Sequence, residues 1–447
     1  MSTTSAPRPD DVADDVAPAV VDTQASQDAP DSLDAEYQAI TRKFGSPKRT
    51  VWLVLIAAIG GYIMMMGMGT AFQLRLSVID KDLATLVYSR ATSLSALLML
   101  AVVPIVGALS DRTISRFGRR RPWMLGGYLV ALACFWLIGT STSSLVSIVA
   151  YIIGIAAAQA GFNAYSTIPV EGIPGNMRAR VMGVMGLCGA LAMSAGSYLA
   201  GALVKVSSVA LMTVPAVLAL VLALPLFLLY KDPQHTREEI PSGGMLSMFT
   251  HMFVNPVKHP AFAWVWVSRF LAGSAMAAFL GFFVLYLIVG LGNDPASAGA
   301  IAGRLSLMSA PVSIIVFTGS GWIADKLGML KPLVALASVI MGVALVIAAT
   351  SDSLTGFTVA WMLFAVGQPM YLTVDLALCA KVLPSEADAG KDMAVFGLAL
   401  NLGNVLVPAI APTLLGPDST NYPLLWGVGT GFCVLAALIM PLVKGVK

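Results

Sequence analysis

Gly107–Trp123 reads GALSDRTISRFGRRRPW and lies between two apolar runs, each long enough to cross a bilayer. It holds five arginines and one aspartate in a chain where 11% of residues are charged. Positive charge gathered in a short loop between two spans marks the cytoplasmic side of a membrane. Such a loop can also tie its two helices together through ion pairs and helix capping.

Outward from this loop the same grammar repeats. Apolar runs fall at 52–76, 88–109, 123–140, 144–168, 181–203, 209–230, 261–289, 298–320, 332–349, 355–379, 393–413 and 423–443. Each is near the ~20 residues that span hydrocarbon. With 57% hydrophobic residues and a mean hydropathy of +0.82, a water-soluble fold would need helices apolar on every side, which excludes it. The expected fold is therefore all-α, with twelve transmembrane helices in two pseudo-symmetric six-helix bundles.

Charge bias orients the chain. One side collects Arg42, Lys43, Lys48, Arg49, Arg112, Arg116, Arg119, Arg120, Arg121, Arg178, Arg180, Lys231, Arg237, Lys258, Lys326, Lys331, Lys381, Lys391, Lys444 and Lys447. The other side holds little beyond Lys81, Arg90 and Lys205. Both ends are expected in the cytoplasm. The chain divides into a disordered cytoplasmic tail (1–47), an N-terminal six-helix bundle (48–230), a cytoplasmic inter-bundle loop (231–260) and a C-terminal six-helix bundle (261–447). Within that loop, Gly244–Val254 reads either as a spacer or as a short amphipathic surface helix.

The formal net charge of +3 is spread over loops, so no nucleic-acid partner is expected. Cys134, Cys188, Cys379 and Cys433 show neither disulfide nor metal spacing and read as small apolar packers. No ATP-binding loop is present, no cofactor or metal is called for, and the chain reads as no enzyme. The expected partners are a small-molecule substrate, protons and membrane lipids, and a monomer suffices.

Both halves carry a related motif. Gly107-Ala-Leu-Ser-Asp111 and Gly118-Arg-Arg-Arg121-Pro122 follow the second run; Gly321-Trp-Ile-Ala-Asp325 and Gly328-Met-Leu-Lys331-Pro332 follow the eighth. A looser echo joins Arg178–Gly183 to Lys391–Gly397 after the fourth and tenth runs. Two echoes in register point to duplication of a six-span unit. Gly107 is expected to let helices approach closely. Asp111, Arg112, Gly118, Arg119, Arg120, Arg121, Glu171, Arg180, Asp325 and Asp392 form the expected cytoplasmic latch, with Glu171 meeting Arg178 and Arg180. The plainer reading is that these arginines only fix topology.

At these residues the chain resembles the major facilitator superfamily. The spacing in DRTISRFGRRRPW (Asp111–Trp123) is similar to that of its sucrose and glycoside–cation symporter branch, and Val374–Leu378 through Asp388–Asp392 resemble related bacterial members. The resemblance runs from about Trp52 to Val443. It implies alternating access around a central site between the halves, driven in sugar transporters by protons or sodium.

Ionisable residues inside apolar runs are costly and point to function. Asp375, in Gln368-Pro-Met-Tyr371-Leu-Thr373-Val-Asp375, is the clearest, and Arg269 stands at similar depth in the seventh run. They read either as proton-coupling groups or as a structural pair or gate. Arg75 and Asp80 read as an external gate or as interfacial residues. Candidates for substrate contact are Gln73, Gln159, Asn163, Tyr165, Gln368, Tyr371, Asn401 and Asn404, whose amides and phenols offer paired donors and acceptors to a hydroxylated solute. The same groups can equally bond helix to helix. The reading that follows is a secondary transporter importing a small neutral sugar or glycoside with protons. Proton-driven efflux of amphipathic compounds is the alternative, favoured by Met64, Met65, Met66 and Met68.

Overall fold

The computed structural model describes residues 28–232, 258–383 and 389–443. Among them are twelve helices long and apolar enough to cross a membrane. In order, the first to twelfth spans are Pro47–Ile79, Lys81–Asp111, Arg121–Thr140, Ser144–Ser166, Gly175–Leu203, Ser208–Leu229, Pro260–Leu285, Pro295–Leu327, Leu330–Thr350, Leu354–Val382, Ala389–Leu415 and Tyr422–Ile439. The seventh continues through a π-helical turn, Tyr286–Gly290. Each apolar run became one span. Several spans outrun their apolar stretch: the second starts at Lys81 rather than near residue 88, because a helix can continue through headgroups where its polar residues stay solvated.

The segment expected to be disordered to residue 47 is corrected in part. Asp28–Phe44 is a helix with Arg42 and Lys43 in its last turn, where the helix dipole favours cations. Phe44 is buried and stacks on Tyr230, ring centroids 6.4 Å apart, and Lys231 Nζ donates to the Arg42 carbonyl at 2.9 Å. A polar composition hid this docked end. The Gly244–Val254 surface helix falls outside the described residues.

The two ends of the bundle are built differently. On the side away from the chain termini, every helix start carries a side-chain cap. Asp80, Ser143, Ser207, Asp294, Ser353 and Asn421 accept backbone N–H groups at the starts of the second, fourth, sixth, eighth, tenth and twelfth spans. On the terminal side, Ser46, Arg120, Pro174, His259 and Met329 precede their spans with no such bond of their own. At the third span, a distant carboxylate takes the place of such a cap.

Packing repeats from half to half. The first span packs on the fifth and sixth, the third on the fourth and sixth, the second on the fourth. The seventh packs on the eleventh and twelfth, the ninth on the tenth and twelfth, the eighth on the tenth, which is the same pattern shifted by six spans. The halves meet where the fifth span crosses the eighth and the second crosses the eleventh, contacts that the same shift interchanges. The glycines of the sequence repeat match as well. Gly118 and Gly328 both sit at positive φ, +93° and +62°, a conformation disfavoured for residues with a Cβ.

The seam between halves is closed toward the far side. Gly201 of the fifth span and Gly299 of the eighth touch backbone to backbone, so that a Cβ on either would fall inside the other helix. Ser194 Oγ donates to the Ser306 carbonyl at 3.1 Å, Ser93 Oγ to Val405 at 2.9 Å, and the Tyr88 and Phe282 rings meet edge to face at 5.6 Å. Toward the terminal side, Gly107 of the second span faces open space: a Cβ there would meet nothing within 4 Å. The expectation that Gly107 seats a close helix neighbour is therefore corrected for this conformation, because the halves approach each other at their opposite ends. Trp52, Trp322 and Trp136 are exposed near span ends, where an indole sits well at the bilayer interface.

Replacing Gly299 with Leu should wedge the far-side seam apart. A cysteine placed at Tyr198, which Gly303 of the eighth span abuts, should then react with a membrane-impermeant maleimide about tenfold faster, the ratio set by ~1.4 kcal/mol of lost closure. Unchanged labelling would show that this contact does not hold the face shut.

Candidate functional site

Two polar constellations stand out, one at the terminal face of the N-terminal half and one buried in the C-terminal half. The first grows from the loop after the second span. Glu171, just past the fourth span, receives Arg119 Nη2 on Oε2 at 2.5 Å and Arg120 Nη2 on Oε1 at 2.8 Å. Arg120 Nη1 also reaches Ser110 Oγ at 2.8 Å, and Trp123 Nε1 donates to Thr113 Oγ1 at 2.8 Å. Asp232, which follows the sixth span, accepts the backbone N–H of Arg120 at 2.6 Å and of Arg121 at 3.1 Å. It thereby caps the third span from more than a hundred residues away. Burial pushes the Asp232 carboxyl above its ordinary value, against the pull of those two N–H groups and of the Arg121 and Arg119 charges. Gly118 leaves the room: a Cβ there would strike Asp232.

This arrangement alters the expected latch. Glu171 is paired with Arg119 and Arg120; the side chains of Asp111, Arg178, Arg180 and Asp325 lie outside the described ones. The pairs formed join the second-to-third loop with the ends of the fourth and sixth spans, all within one half. Arg112 lies at the end of the second span and Arg116 stacks on Phe117 at 4.7 Å. In the other half the matching tie is Lys331 Nζ donating to the Val443 carbonyl at 3.0 Å, again joining a span start to the chain just past the last span of its bundle. Asp392 stands at the terminal-side start of the eleventh span, in its first turn, with its side chain only 1% exposed. Asp232 escaped the sequence reading because a single aspartate after a span carries no motif.

The second constellation is an ion pair inside the membrane. Arg269 Nη1 of the seventh span meets Asp375 Oδ2 of the tenth. Asp375 is fully buried. It lies seven residues before the tenth span ends, roughly 10 Å in from the terminal end. The guanidinium rests 4.0 Å from the centre of the Phe396 ring, and Trp266 Nε1 ties the seventh span to the Val395 carbonyl at 2.9 Å. One turn before Asp375, the Tyr371 hydroxyl meets Ser268 Oγ at 3.2 Å. Such a pair is held in place by its surroundings, since removing one partner leaves a charge stranded in hydrocarbon.

The proposed substrate contacts separate into two groups. Gln73, Tyr165 and Tyr371 are buried. Gln73 Oε1 accepts the Leu285 N–H at 3.2 Å and so bolts the first span to the seventh; Tyr165 packs edge to face on Phe162 at 5.0 Å. In this conformation these three serve packing, a correction that follows from their full enclosure between helices. Gln159 and Asn163 are half-buried and bonded to each other at 3.0 Å, and Gln368 is half-buried. Asn401 and Asn404 are exposed on one face of the eleventh span, Asn404 Nδ2 donating to the Leu400 carbonyl at 3.2 Å. Arg75 is no gate: it donates to the Ile138 and Ser141 carbonyls at 3.4 and 2.9 Å, capping the end of the third span. Asp80 is spent on its own helix cap.

The sequence pattern of the Major Facilitator Superfamily matches residues 50–386, three quarters of the chain. The chain belongs to this superfamily. Solved structures agree with the fold at low identity. A bacterial homologue of the human lysosomal transporter Spinster, in an inward-facing and unoccupied conformation, superposes with a TM-score of 0.72 at 14% identity, covering 89% of this chain and 98% of that one. The nucleoside transporter NupG gives 0.66 at 13% identity over 89% of this chain and 100% of its own. A peptide transporter, POT, in complex with sulfate gives 0.67 at 13% over 91% and 97%. An uncharacterized symporter of Synechocystis sp. is 62% identical over 39 residues, which is 8% of this chain and 7% of that protein. The chain is thus an integral membrane transporter, and its relatives are transporters rather than enzymes.

Removing the long-range cap should loosen the terminal face. Asp232→Ala is expected to cost about 1 kcal/mol, the typical loss for a helix N-cap. Asp232→Asn, which keeps a carbonyl acceptor, should lose less. Thermal unfolding of the purified protein checks the order, and equal losses would place the effect in charge alone.

Proposed function

We propose that this transporter imports a small neutral hydroxylated solute, of the sugar or glycoside class, together with protons. The observation that carries the reading is the Arg269–Asp375 pair: a carboxylate without solvent exposure, held by one guanidinium, inside a bundle that has to rock. Proton uptake on Asp375 would cancel half of that pair, so the bundle's internal balance of charge differs between loaded and unloaded states. Desolvated carboxyls of this kind exchange protons in the physiological range more readily than exposed ones.

The side of the chain termini is read as cytoplasmic, since Arg112, Arg116, Arg119, Arg120, Arg121, Lys231, Lys326, Lys331 and Lys381 all lie there. The membrane is then the inner membrane of a bacterium, and a seam closed on the far side is an inward-facing state. For the solute, Gln159, Asn163, Gln368, Asn401 and Asn404 remain as amides with donors and acceptors able to pair with hydroxyl groups. The latch in this reading steadies one face through the Glu171 and Asp232 contacts. For the efflux alternative, Met64 and Met68 are fully buried while Met65 and Met66 are only partly so, which leaves two of the four methionines for a pocket wall. A monomer is sufficient for the cycle.

Reconstituted protein should accumulate a sugar or glycoside against its gradient when the lumen is alkaline relative to the outside. Asp375→Asn should abolish accumulation, at least tenfold, while counterflow exchange survives. Accumulation undiminished in that variant would remove the carboxyl from coupling, and extrusion of amphipathic dyes without sugar uptake would overturn the import reading.

A further inference from the structure

Three buried polar atoms lie idle around the intramembrane pair. Arg269 uses Nη1 on Asp375 Oδ2, which leaves Arg269 Nε and Asp375 Oδ1 buried without hydrogen-bond partners among the described residues. The third is Oδ2 of Asp392, on a side chain only 1% exposed. Buried polar atoms are nearly always partnered, and a carboxylate more so than most, so three idle atoms in one region need a reason.

Geometry connects them. The Arg269 guanidinium lies over the Phe396 ring, 4.0 Å from its centre. Asp392 stands four residues before Phe396 on the same helix, hence on the same face and roughly 6 Å along the axis toward the terminal side. Cys379, one turn after Asp375 on the tenth span, has its Sγ 3.7 Å from the Sδ of Met393, the neighbour of Asp392, so the two carboxylate-bearing helices meet here. Among the described residues, the other titratable groups near this point are Tyr371 of the tenth span, bonded to Ser268, Cys379 on the same helix, and Cys433 of the twelfth.

We propose that Arg269 serves two carboxylates in turn, Asp375 and Asp392, with the Phe396 ring as the surface across which its guanidinium moves. The step balances in charge. A hydronium ion gives up a proton and becomes water; that proton forms an O–H bond at Asp375 Oδ1, the carboxylate becomes a neutral carboxyl, and the guanidinium leaves Oδ2 for the idle Asp392 Oδ2. Loss of that proton returns it. A cation over an aromatic face keeps part of its stabilisation during the passage. Asp392 is then a positioning residue: it gives the arginine somewhere to go, and without it the cation would be stranded whenever Asp375 is neutral. The use of this exchange for coupling rests on the proposed function; the shared arginine does not.

A double-variant cycle on purified protein tests the sharing without any substrate. Asp375→Asn and Asp392→Asn should each lower the thermal midpoint slightly, because the other carboxylate still holds Arg269. Together they should lower it by more than twice the sum of the single effects. Adding Arg269→Gln to the double variant should restore most of the loss, and the same rescue is expected in yield if the double variant fails to fold. Additive losses, or a double variant that Arg269→Gln does not rescue, would falsify the proposal. Proteoliposome flux separates the two ideas: a non-additive cycle with accumulation intact in Asp375→Asn leaves the shared arginine standing and removes its part in coupling.

Discussion

A polar group inside hydrocarbon has no water to turn to, and this constraint shapes the whole molecule. Every backbone is therefore helical through the membrane, and side chains with hydrogen-bonding capacity are committed to nearby carbonyls or to neighbouring helices. Ser and Thr hydroxyls fold back onto their own helices, as Ser338 does to Val334 and Thr373 to Pro369. Trp361 Nε1 finds the Leu305 carbonyl, and Arg75 the end of the third span. Hydroxyls such as those of Tyr128 and Ser147 are also buried without a partner, but in the Arg269–Asp375 pair the idle atoms belong to charged groups within the membrane. The cost of leaving charge in such a place makes Arg269 and Asp375 the region where a small chemical change has the largest structural leverage.

The two halves solve the same packing problem with different chemistry. Their helices make the same pairwise contacts shifted by six, and the repeated glycines before the third and ninth spans share a left-handed backbone. Yet one terminal face is held by carboxylates and arginines, whereas the other uses a lysine on a main-chain carbonyl. Among the described residues, the two halves thus share their helix packing and differ in the charges at their terminal faces. The seam follows from the geometry: interchanging the halves maps its two helix crossings onto each other.

Much of this was legible in the residues. Hydropathy located all twelve spans because a bilayer sets both their length and their composition, and Asp375 and Arg269 stood out as opposite charges at similar depth. The polar candidates were less legible, since an amide that bonds helix to helix and one that faces a cleft look alike in sequence; Gln73 proved to be the first kind and Asn401 is exposed. Asp232 and the meeting of Gly201 with Gly299 could not be read at all. Both depend on which distant segments approach, and neither residue type is unusual where it stands. The glycine that mattered at the arginine-rich loop was Gly118, fixed by its backbone angle and by Asp232, rather than Gly107.

The distribution of helix caps bears on how such a chain is made. Each far-side turn starts its next helix with a serine, aspartate or asparagine cap of its own, and the turn after the third span is held in addition by Arg75 of the first. Six hairpins can therefore take shape as each pair of helices leaves the ribosome and enters the lipid, before any partner exists. The opposite face must wait: the start of the third span gains its cap only once Asp232 has been synthesised, and Lys331 its acceptor only at the last turn of the chain. The start of the third span and Lys331 thus each rely on a residue more than a hundred positions further along the sequence.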